Sequence, residues 1–311
     1  MIVVLTGGTG GAKFVQGLEQ VVPAAQITTV VNTGDDLNWW GLHVSPDLDS
    51  ITYAMAGLLS RERGWGVEGD TFNCLQVIAR LGAPTWFHLG DRDLAVHLVR
   101  TQLLGQGKTL TEATEMITRQ FDIASRVLPM TDTIVQTRVI TPTGELSFQE
   151  YFVRERWQPE ATGVRFIGSE SARPAAGVLE AIHKADAVVI APSNPVTSVG
   201  PILAVPGIRE ELRETSAPVV AVSPLVGGAA GSGPAGKLMP SQGLPVSLDG
   251  VARAYADFLD ALIIDEMDAG GASGVESLGI ALSVTNTIMQ TSSDKEALAR
   301  TALSAARAVK K

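Results

Sequence analysis

Residues 2–14, IVVLTGGTGGAKF, decide the fold, because an apolar run breaks directly into a glycine-rich turn that carries one lysine. Such a turn between a strand and a helix is typical of the start of a βαβ unit. We predict a strand over residues 2–6, a helix over 11–20 and a second strand over 27–31, parallel to the first. In such open sheets, ligands bind beyond the carboxyl ends of the strands.

The glycine-rich turn fits neither of the two standard nucleotide fingerprints. A Walker A loop needs a glycine before its lysine and a hydroxyl residue after it, whereas Lys13 follows Ala12 and precedes Phe14. In the dinucleotide fingerprint, Lys13 stands where the third glycine belongs. Free helix amides, the positive end of the helix dipole and a lysine still predict an anion site, most simply for phosphate. A plain turn without a ligand is the alternative. The candidate residues are Gly8, Thr9, Gly10 and Lys13.

The alternation of apolar strands and helical segments returns late in the chain. The strand-like segments are ADAVVIAPSN (185–194), APVVAVSP (217–224), ALIIDE (261–266) and IALSVTN (280–286). Continuous apolar strands between helices indicate a parallel sheet covered on both faces. The middle differs, since residues 68–130 are mainly helical in pattern and Pro142-Thr143-Gly144 predicts a hairpin turn. We predict a doubly wound, mainly parallel, Rossmann-like α/β core of residues 1–64 and 171–311, with a helical and hairpin insertion at 65–170.

The charge balance and the length of the apolar runs argue against two classes of partner. The net charge is -9 and no run of basic residues stands out, so we expect no nucleic-acid partner. Apolar runs fall short of the roughly 18–20 residues that span a bilayer, so we expect no membrane partner and a cytoplasmic location. An acidic protein that holds a phosphorylated ligand is expected to use a divalent cation, backbone amides and a few basic residues. The aspartates are therefore the side chains of interest.

Three stretches present aspartates where strands end or helices begin. VNTGDDLNWWG (31–41) offers Asn32, Asp35 and Asp36, which either bind a ligand or cap a helix. SPDLD (45–49) offers Asp47 and Asp49, where a carboxylate beside a phosphate site would hold Mg²⁺ or orient an attacking hydroxyl. The alternative is that Asp49 caps a helix.

The third stretch is LGDRD (89–93), which places Arg92 between Asp91 and Asp93 at the start of a predicted helix. The positive dipole end disfavours a cation there, so Arg92 is either a ligand contact or part of a salt bridge to a neighbouring aspartate.

Two further loops are weaker candidates. APSNPVTSVGPI (191–202) ends an apolar strand and offers Ser193, Asn194 and Thr197 as a second phosphate or nucleotide loop. GSGPAGKLMP (231–240) has the Gly231, Gly236 and Lys237 of a Walker A loop, but Leu238 replaces the required Ser or Thr, which favours a flexible loop.

Taken together, these motifs resemble the 2-phospho-L-lactate transferase family. The resemblance also includes RGWGVEGDTF, VLPMTD and FQEYFVRERWQP, and it runs in order from Leu5 to about Asp265. It implies an enzyme of coenzyme F(420) biosynthesis that transfers a 2-phospholactyl or phosphoenolpyruvyl group to the deazaflavin Fo. The donor would be a guanosine diphosphate derivative, the acceptor the terminal ribityl hydroxyl of Fo, and GMP would be released with Mg²⁺ present. A homodimer is also implied.

The resemblance assigns roles to the candidates. Asp49 and Arg92 would contact the deazaflavin and act in catalysis, while Asp35, Asp36 and Asp49 would bind Mg²⁺. Apart from the resemblance, the flat aromatic rings of Trp39 or Trp40 are expected to stack on a flat ligand ring. The substrate-binding set would be Gly8, Thr9, Gly10, Lys13, Asn32, Asp47, Asp91, Ser193, Asn194 and Thr197. Two alternatives stay open, a nicotinamide-dependent dehydrogenase and a non-catalytic nucleotide-sugar-binding regulatory protein of related fold, and the three-carbon acid of the donor is not specified.

Overall fold

Alternating strands and helices build the chain in the computed structural model, which describes residues 1–230, 233–271 and 273–309. The strands are β1 (Ile2–Thr6), β2 (Ile27–Val31), β3 (Leu37–Trp39), β4 (Leu42–Val44), β5 (Arg126–Pro129), β6 (Gln136–Thr141), β7 (Gly144–Ser147), β8 (Gly163–Ile167), β9 (Ala187–Ile190), β10 (Val219–Val222), β11 (Leu225–Val226), β12 (Ala229–Ala230), β13 (Ala261–Asp265) and β14 (Ala281–Thr285). The helices are α1 (Gly8–Leu18), α2 (Pro46–Met55), α3 (Asn73–Arg80), α4 (Asp91–Gly105), α5 (Leu110–Gln120), α6 (Val178–His183), α7 (Gly200–Ala204), α8 (Ile208–Glu214), α9 (Ala235–Ser241), α10 (Leu248–Tyr255), α11 (Ser273–Glu276) and α12 (Ser292–Ala308).

Seven parallel strands form the central sheet, in the order β14-β13-β10-β9-β1-β2-β5. The chain starts in the middle at β1, builds outward through β2 to β5, and then returns to β9 on the other side of β1. The winding direction therefore reverses between β1 and β9, which is where ligands bind in doubly wound folds. The predicted fold class and both first strands are confirmed, with the bounds 2–6 and 27–31.

Helix α1 begins at Gly8, three residues before the predicted start. Gly8 has a φ of +69°, a left-handed conformation that a glycine adopts without steric cost. The glycine-rich turn is therefore the first turn of the helix itself.

Two apolar cores cover the two faces of the sheet. Along β1, Val3 and Leu5 face one core, whereas Ile2 and Val4 face the other. The first core is completed by residues of α6 to α10, and the second by residues of α1, α2 and α12. Burial of each Val or Leu side chain contributes about 1.5–3 kcal/mol, so the period-two alternation fixes which face of each strand meets which helices.

The range predicted as an insertion contributes to the sheet as well as to the layer outside it. Strand β5 pairs with β2, so the sheet continues into residues 65–170. The predicted hairpin is confirmed, since β6 and β7 pair antiparallel from Thr141 opposite Gly144, and β8 adds a third strand on the other side of β6. Within the described ranges, no helix is both long and apolar enough to cross a membrane.

Candidate active site

Three loops that the sequence analysis singled out meet at the carboxyl edge of the sheet. They follow β1, β2 and β9, which are adjacent strands, and backbone hydrogen bonds continue past the strand ends from Asn32 N to Thr6 O (3.0 Å) and from Ala191 N to Leu5 O (3.0 Å). The loop after β1 is the glycine turn, the loop after β2 carries Asp35, and the loop after β9 carries Ser193. This edge is the site predicted for ligands in a doubly wound sheet.

Asn32 is the centre of the site. Its Nδ2 donates to Asp35 Oδ2 at 3.0 Å and to Asp47 Oδ2 at 2.9 Å, so these two carboxylate oxygens are no more than about 6 Å apart. Its Oδ1 accepts a hydrogen bond from Gly34 N at 2.8 Å, which holds the amide in this orientation. One buried amide thus brings together Asp35 of the loop after β2 and Asp47 of the first turn of α2, beside the glycine turn.

The two aspartates of this group have raised pKa values. Burial raises the pKa of Asp35 well above its ordinary value, and repulsion from Asp47 adds to it. Burial also raises the pKa of Asp47 to about 6, although hydrogen bonds from Asn32 and Gly8 oppose the shift. Asp35 Oδ1 is buried and has no hydrogen-bond partner within the described ranges. The pair therefore favours a proton or a cation between its oxygens.

The first turn of α1 faces the same group. Gly8 N donates to Asp47 Oδ1 at 2.7 Å, and helix geometry leaves the next amides without an intrahelical acceptor. Lys13 lies one turn further along, partly exposed, and the described part of the chain offers its ammonium no ion-pair partner. Amides at a helix N-terminus and an unpaired lysine together suit an anionic group.

Packing explains some of the glycines in this turn. A Cβ at Gly10 would lie 2.4 Å from the carbonyl oxygen of Pro192, and one at Gly7 would lie 2.6 Å from Asp47 Oδ2. The close approach of neighbouring loops thus requires glycine with or without a ligand. Lys13 has no comparable structural explanation.

The loop after β9 braces the glycine turn. Ser193 Oγ donates to the carbonyl of Gly7 at 2.8 Å, and Asn194 Oδ1 accepts from Val196 N at 2.9 Å. The Thr197 carbonyl accepts from Asn32 Nδ2 at 3.2 Å. Thr197 Oγ1 is buried without a hydrogen-bond partner in the described part of the chain, so this hydroxyl keeps its capacity to hydrogen-bond a ligand. Substrate binding by Ser193, Asn194 and Thr197 stays a prediction.

Asp49 lies on α2, and both of its carboxylate oxygens are paired with Arg100 of α4. Arg100 Nη1 donates to Asp49 Oδ2 at 3.1 Å and Nη2 donates to Oδ1. His97 Nδ1 lies 3.6 Å from the same carboxylate, and its Nε2 lies 3.2 Å from Asp93 Oδ1. Neither Arg100 nor His97 was predicted from the sequence as a site residue. The available signal was their spacing, since Asp93, His97 and Arg100 recur every three to four residues and share one helix face.

Asp49, Asp93 and His97 have the composition of a metal site, with one ligand atom each within 4.8 Å of one another. The Arg100 guanidinium already supplies a positive charge to this group.

Asp36 has hydrogen-bond partners of its own, because Ser45 Oγ donates to its Oδ2 at 2.6 Å and His43 Nε2 lies 3.0 Å away. Burial raises the pKa of Asp36, although the hydrogen bonds from His43 and Ser45 and the charge of His43 act to lower it.

Asp91 and Arg92 differ in their surroundings. Asp91 accepts hydrogen bonds from the Thr71 hydroxyl, from Asn73 and from Cys74 N, and these bonds lower its pKa to about 2. They satisfy amides at the start of α3, so Asp91 acts there as a helix cap. Arg92 is exposed and donates from Nη1 to the Glu68 carbonyl at 3.3 Å, without an ion pair to a carboxylate in the described ranges. The salt-bridge alternative is therefore absent, and Arg92 is available to an anion.

Two other candidates, Trp39 and Lys237, make contacts within the fold. Trp39 packs edge-on against Trp86 at 4.7 Å between ring centroids and is 8% exposed, so it belongs to an aromatic cluster. Lys237 Nζ donates to the carbonyls of Trp157 (2.7 Å) and Gln158 (3.0 Å), while Gly231 lies outside the described residues.

Comparisons with the family model and with curated relatives identify one family, and a comparison with solved structures shows the fold. The chain matches the family model of 2-phospho-L-lactate transferase CofD over residues 2–296. It is 45% identical to a phosphoenolpyruvate transferase of Streptomyces griseus, over 99% of each chain. It is 41% identical to a 2-phospho-L-lactate transferase of Methanosarcina mazei, over 96% of this chain and 98% of the relative. A crystal structure of a UPF0052 family member from Bacillus halodurans shares the fold, with a TM-score of 0.65 at 16% identity, over 97% of this chain and 98% of the other.

Proposed function

The chain belongs to the 2-phospho-L-lactate transferase CofD family, and from that membership we propose a specific reaction. The protein transfers a 2-phospholactyl or phosphoenolpyruvyl group from a guanosine diphosphate derivative to the terminal ribityl hydroxyl of the deazaflavin Fo, and GMP is released. This step serves coenzyme F(420) biosynthesis. The observation that carries the proposal is the Asn32, Asp35 and Asp47 group beside the first turn of α1. This group offers carboxylates for a cation next to helix amides for a diphosphate.

The Asp35 and Asp47 pair fits Mg²⁺. Mg²⁺ prefers carboxylate oxygens, and a divalent charge would relieve the repulsion that helps to raise the pKa of Asp35. The resemblance also suggested Asp36 and Asp49 as ligands, but the positive charge of Arg100 already acts on both, through a salt bridge in the case of Asp49. The amides that donate to Asp35 and Asp47 are neutral. We therefore give the ligand role to Asp35 and Asp47. When bound there, Mg²⁺ would neutralise charge on the diphosphate.

The residues of the chain divide between donor and acceptor. The amides of the first turn of α1 and the ammonium of Lys13 hold the diphosphate oxygens. Asp49 accepts a hydrogen bond from the attacking hydroxyl and orients it, while Arg92 contacts the acceptor from the start of α4. The hydroxyl oxygen forms a new bond to the phosphorus that carries the three-carbon acid. The bond from that phosphorus to GMP breaks, and the hydroxyl proton leaves to solvent.

A product assay tests the proposal. The protein is incubated with Fo, Mg²⁺ and the phospholactyl or the phosphoenolpyruvyl derivative of guanosine diphosphate. Mass spectrometry should show Fo extended by the phosphorylated acid, with one GMP for each product molecule. The relative rates with the two donors identify the three-carbon acid.

Control arms address the two alternatives. A saturable NADH fluorescence change without product from Fo would support the dehydrogenase instead. Guanine-nucleotide binding without turnover of either donor would support a regulatory protein. Either result contradicts the proposed transfer.

A further inference from the structure

Helices α2 and α4 are joined by a buried network of five polar side chains. Asp49 and Tyr53 lie four residues apart on α2, and Asp93, His97 and Arg100 share one face of α4. Each of the five is at most 6% exposed. Two hydrogen-bonded contacts cross between the helices: Arg100 pairs with Asp49, and the Tyr53 hydroxyl donates to Asp93 Oδ1 at 2.6 Å. His97 lies between them, with Nδ1 3.6 Å from Asp49 and Nε2 3.2 Å from Asp93, and its Nε2 makes no hydrogen bond within the described residues.

We propose that Arg100 is a positioning residue for the acceptor substrate, with His97 as its support. The proposal rests on the proposed function, in which Asp49 orients the attacking hydroxyl. Two parallel hydrogen bonds from a guanidinium fix the rotation of a carboxylate as well as its place. Arg100 therefore determines where Asp49 presents its oxygens, although it lies 51 residues further along the chain.

The same network orients the start of α4. Asp93 lies in the first turn of that helix, next to Arg92, and its carboxylate is tied to Tyr53 of α2. Asp49 and Arg92 are the two predicted acceptor contacts, and they stand on helices that this network connects. A disturbance of Arg100 is therefore expected to reach the acceptor side of the site first. The donor side lies on α1, on the loops after β1 and β2 and at Asp47 in the first turn of α2. Asp47 is held there by hydrogen bonds from Gly8 and Asn32, which do not involve Arg100, so the donor side should be affected less.

The test compares Arg100→Met with Arg100→Lys. Arg100→Met releases the Asp49 carboxylate that would hold the Fo hydroxyl, so the KM or the Kd for Fo should rise by about tenfold or more through the lost hydrogen bond to a charged group. The misplaced hydroxyl should also lower kcat, by up to roughly a hundredfold. The KM for the guanosine diphosphate derivative should change by less than about twofold. Arg100→Lys keeps the charge without the fork and should be intermediate. Arg119→Met, which removes an exposed arginine paired with Glu115 on α5, is the matched control and should resemble wild type.

A double-mutant cycle separates positioning from general structural support. Asp49→Asn should weaken Fo binding strongly in the wild-type background, but by less than about twofold further in the Arg100→Met background, because both changes remove the same contact. If the two substitutions weaken Fo binding independently, so that their fold-changes multiply, the inference is overturned. An equal rise in the KM for Fo and in the KM for the guanosine diphosphate derivative also overturns it. If Arg100→Met does not fold by circular dichroism, Arg100→Lys decides by the same comparison of the two substrates. Wild-type protein without transfer contradicts the proposed function itself, whereas transfer with an additive cycle contradicts this inference alone.

Discussion

The buried Asp35 and Asp47 pair should make the metal-free protein less stable as the pH rises from 5 to 8. Burial raises the pKa of Asp47 from 3.8 to about 6, and the pKa of Asp35 moves in the same direction. The folded protein then keeps a proton that the unfolded chain has released, so the free energy of unfolding falls with rising pH. At about 1.4 kcal/mol per pKa unit, the whole shift of Asp47 is worth about 3 kcal/mol. About 1.4 kcal/mol of it falls between pH 5 and 8, and Asp35 adds to it.

Mg²⁺ should reverse this loss where the pair is ionised. At pH 8, Mg²⁺ at a hundredfold excess over its Kd should stabilise the fold by about 2.7 kcal/mol. At pH 5 the gain should be smaller because protons compete for the same oxygens. Urea denaturation at both pH values, with EDTA or with MgCl₂, measures these differences. Asp47→Asn should flatten the metal-free pH dependence and remove most of the gain from Mg²⁺.

A matched control uses a carboxylate outside the pair. Hydrogen bonds lower the pKa of Asp91 to about 2, so Asp91→Asn should shift the stability by the same amount at pH 5 and at pH 8 and should leave the Mg²⁺ gain intact. Equal pH slopes in wild type and Asp47→Asn, or equal Mg²⁺ stabilisation of the two at pH 8, would refute the assignment of a shared proton and cation site to this pair.

Other expectations concern the substrate contacts and the assembly. Asp49→Asn keeps the side-chain volume and should lower turnover by roughly a hundredfold or more in folded protein; wild-type turnover would reduce Asp49 to a structural role. Arg92→Lys should be nearly as damaging as Arg92→Ala because lysine lacks the guanidinium fork, and full activity in Arg92→Lys argues against a forked contact. Lys13→Ala should raise the donor KM by about tenfold or more while Lys108→Ala, an exposed control paired with Glu112, should not. Light scattering should give the mass of a homodimer, and a monomer mass at working concentration contradicts that expectation.

The sequence by itself determined the doubly wound sheet and the edge at which the site lies. Short runs of apolar and β-branched residues such as 2–6 and 27–31 predict a buried parallel strand from local pattern alone, because both faces of such a strand must be covered. The order of strands and helices then limits the topology, since parallel crossovers have one hand. The aspartates after β2 and at the start of α2 followed from the same logic, because loops at the carboxyl edge bear the ligands.

Only the tertiary structure decided which charged groups are partners. Asp49 and Arg100 are 51 residues apart, and nothing local distinguishes this arginine from one that forms a surface ion pair such as Arg119. Asp91 was predicted to contact the substrate. In the fold it lies at the start of α3, where the backbone amides of Asn73 and Cys74 donate hydrogen bonds to its carboxylate. A carboxylate has the same composition in a cap, a metal site or an ion pair. What differs is the burial and the donors that packing brings to it, because desolvation and hydrogen bonding act through space and not along the chain.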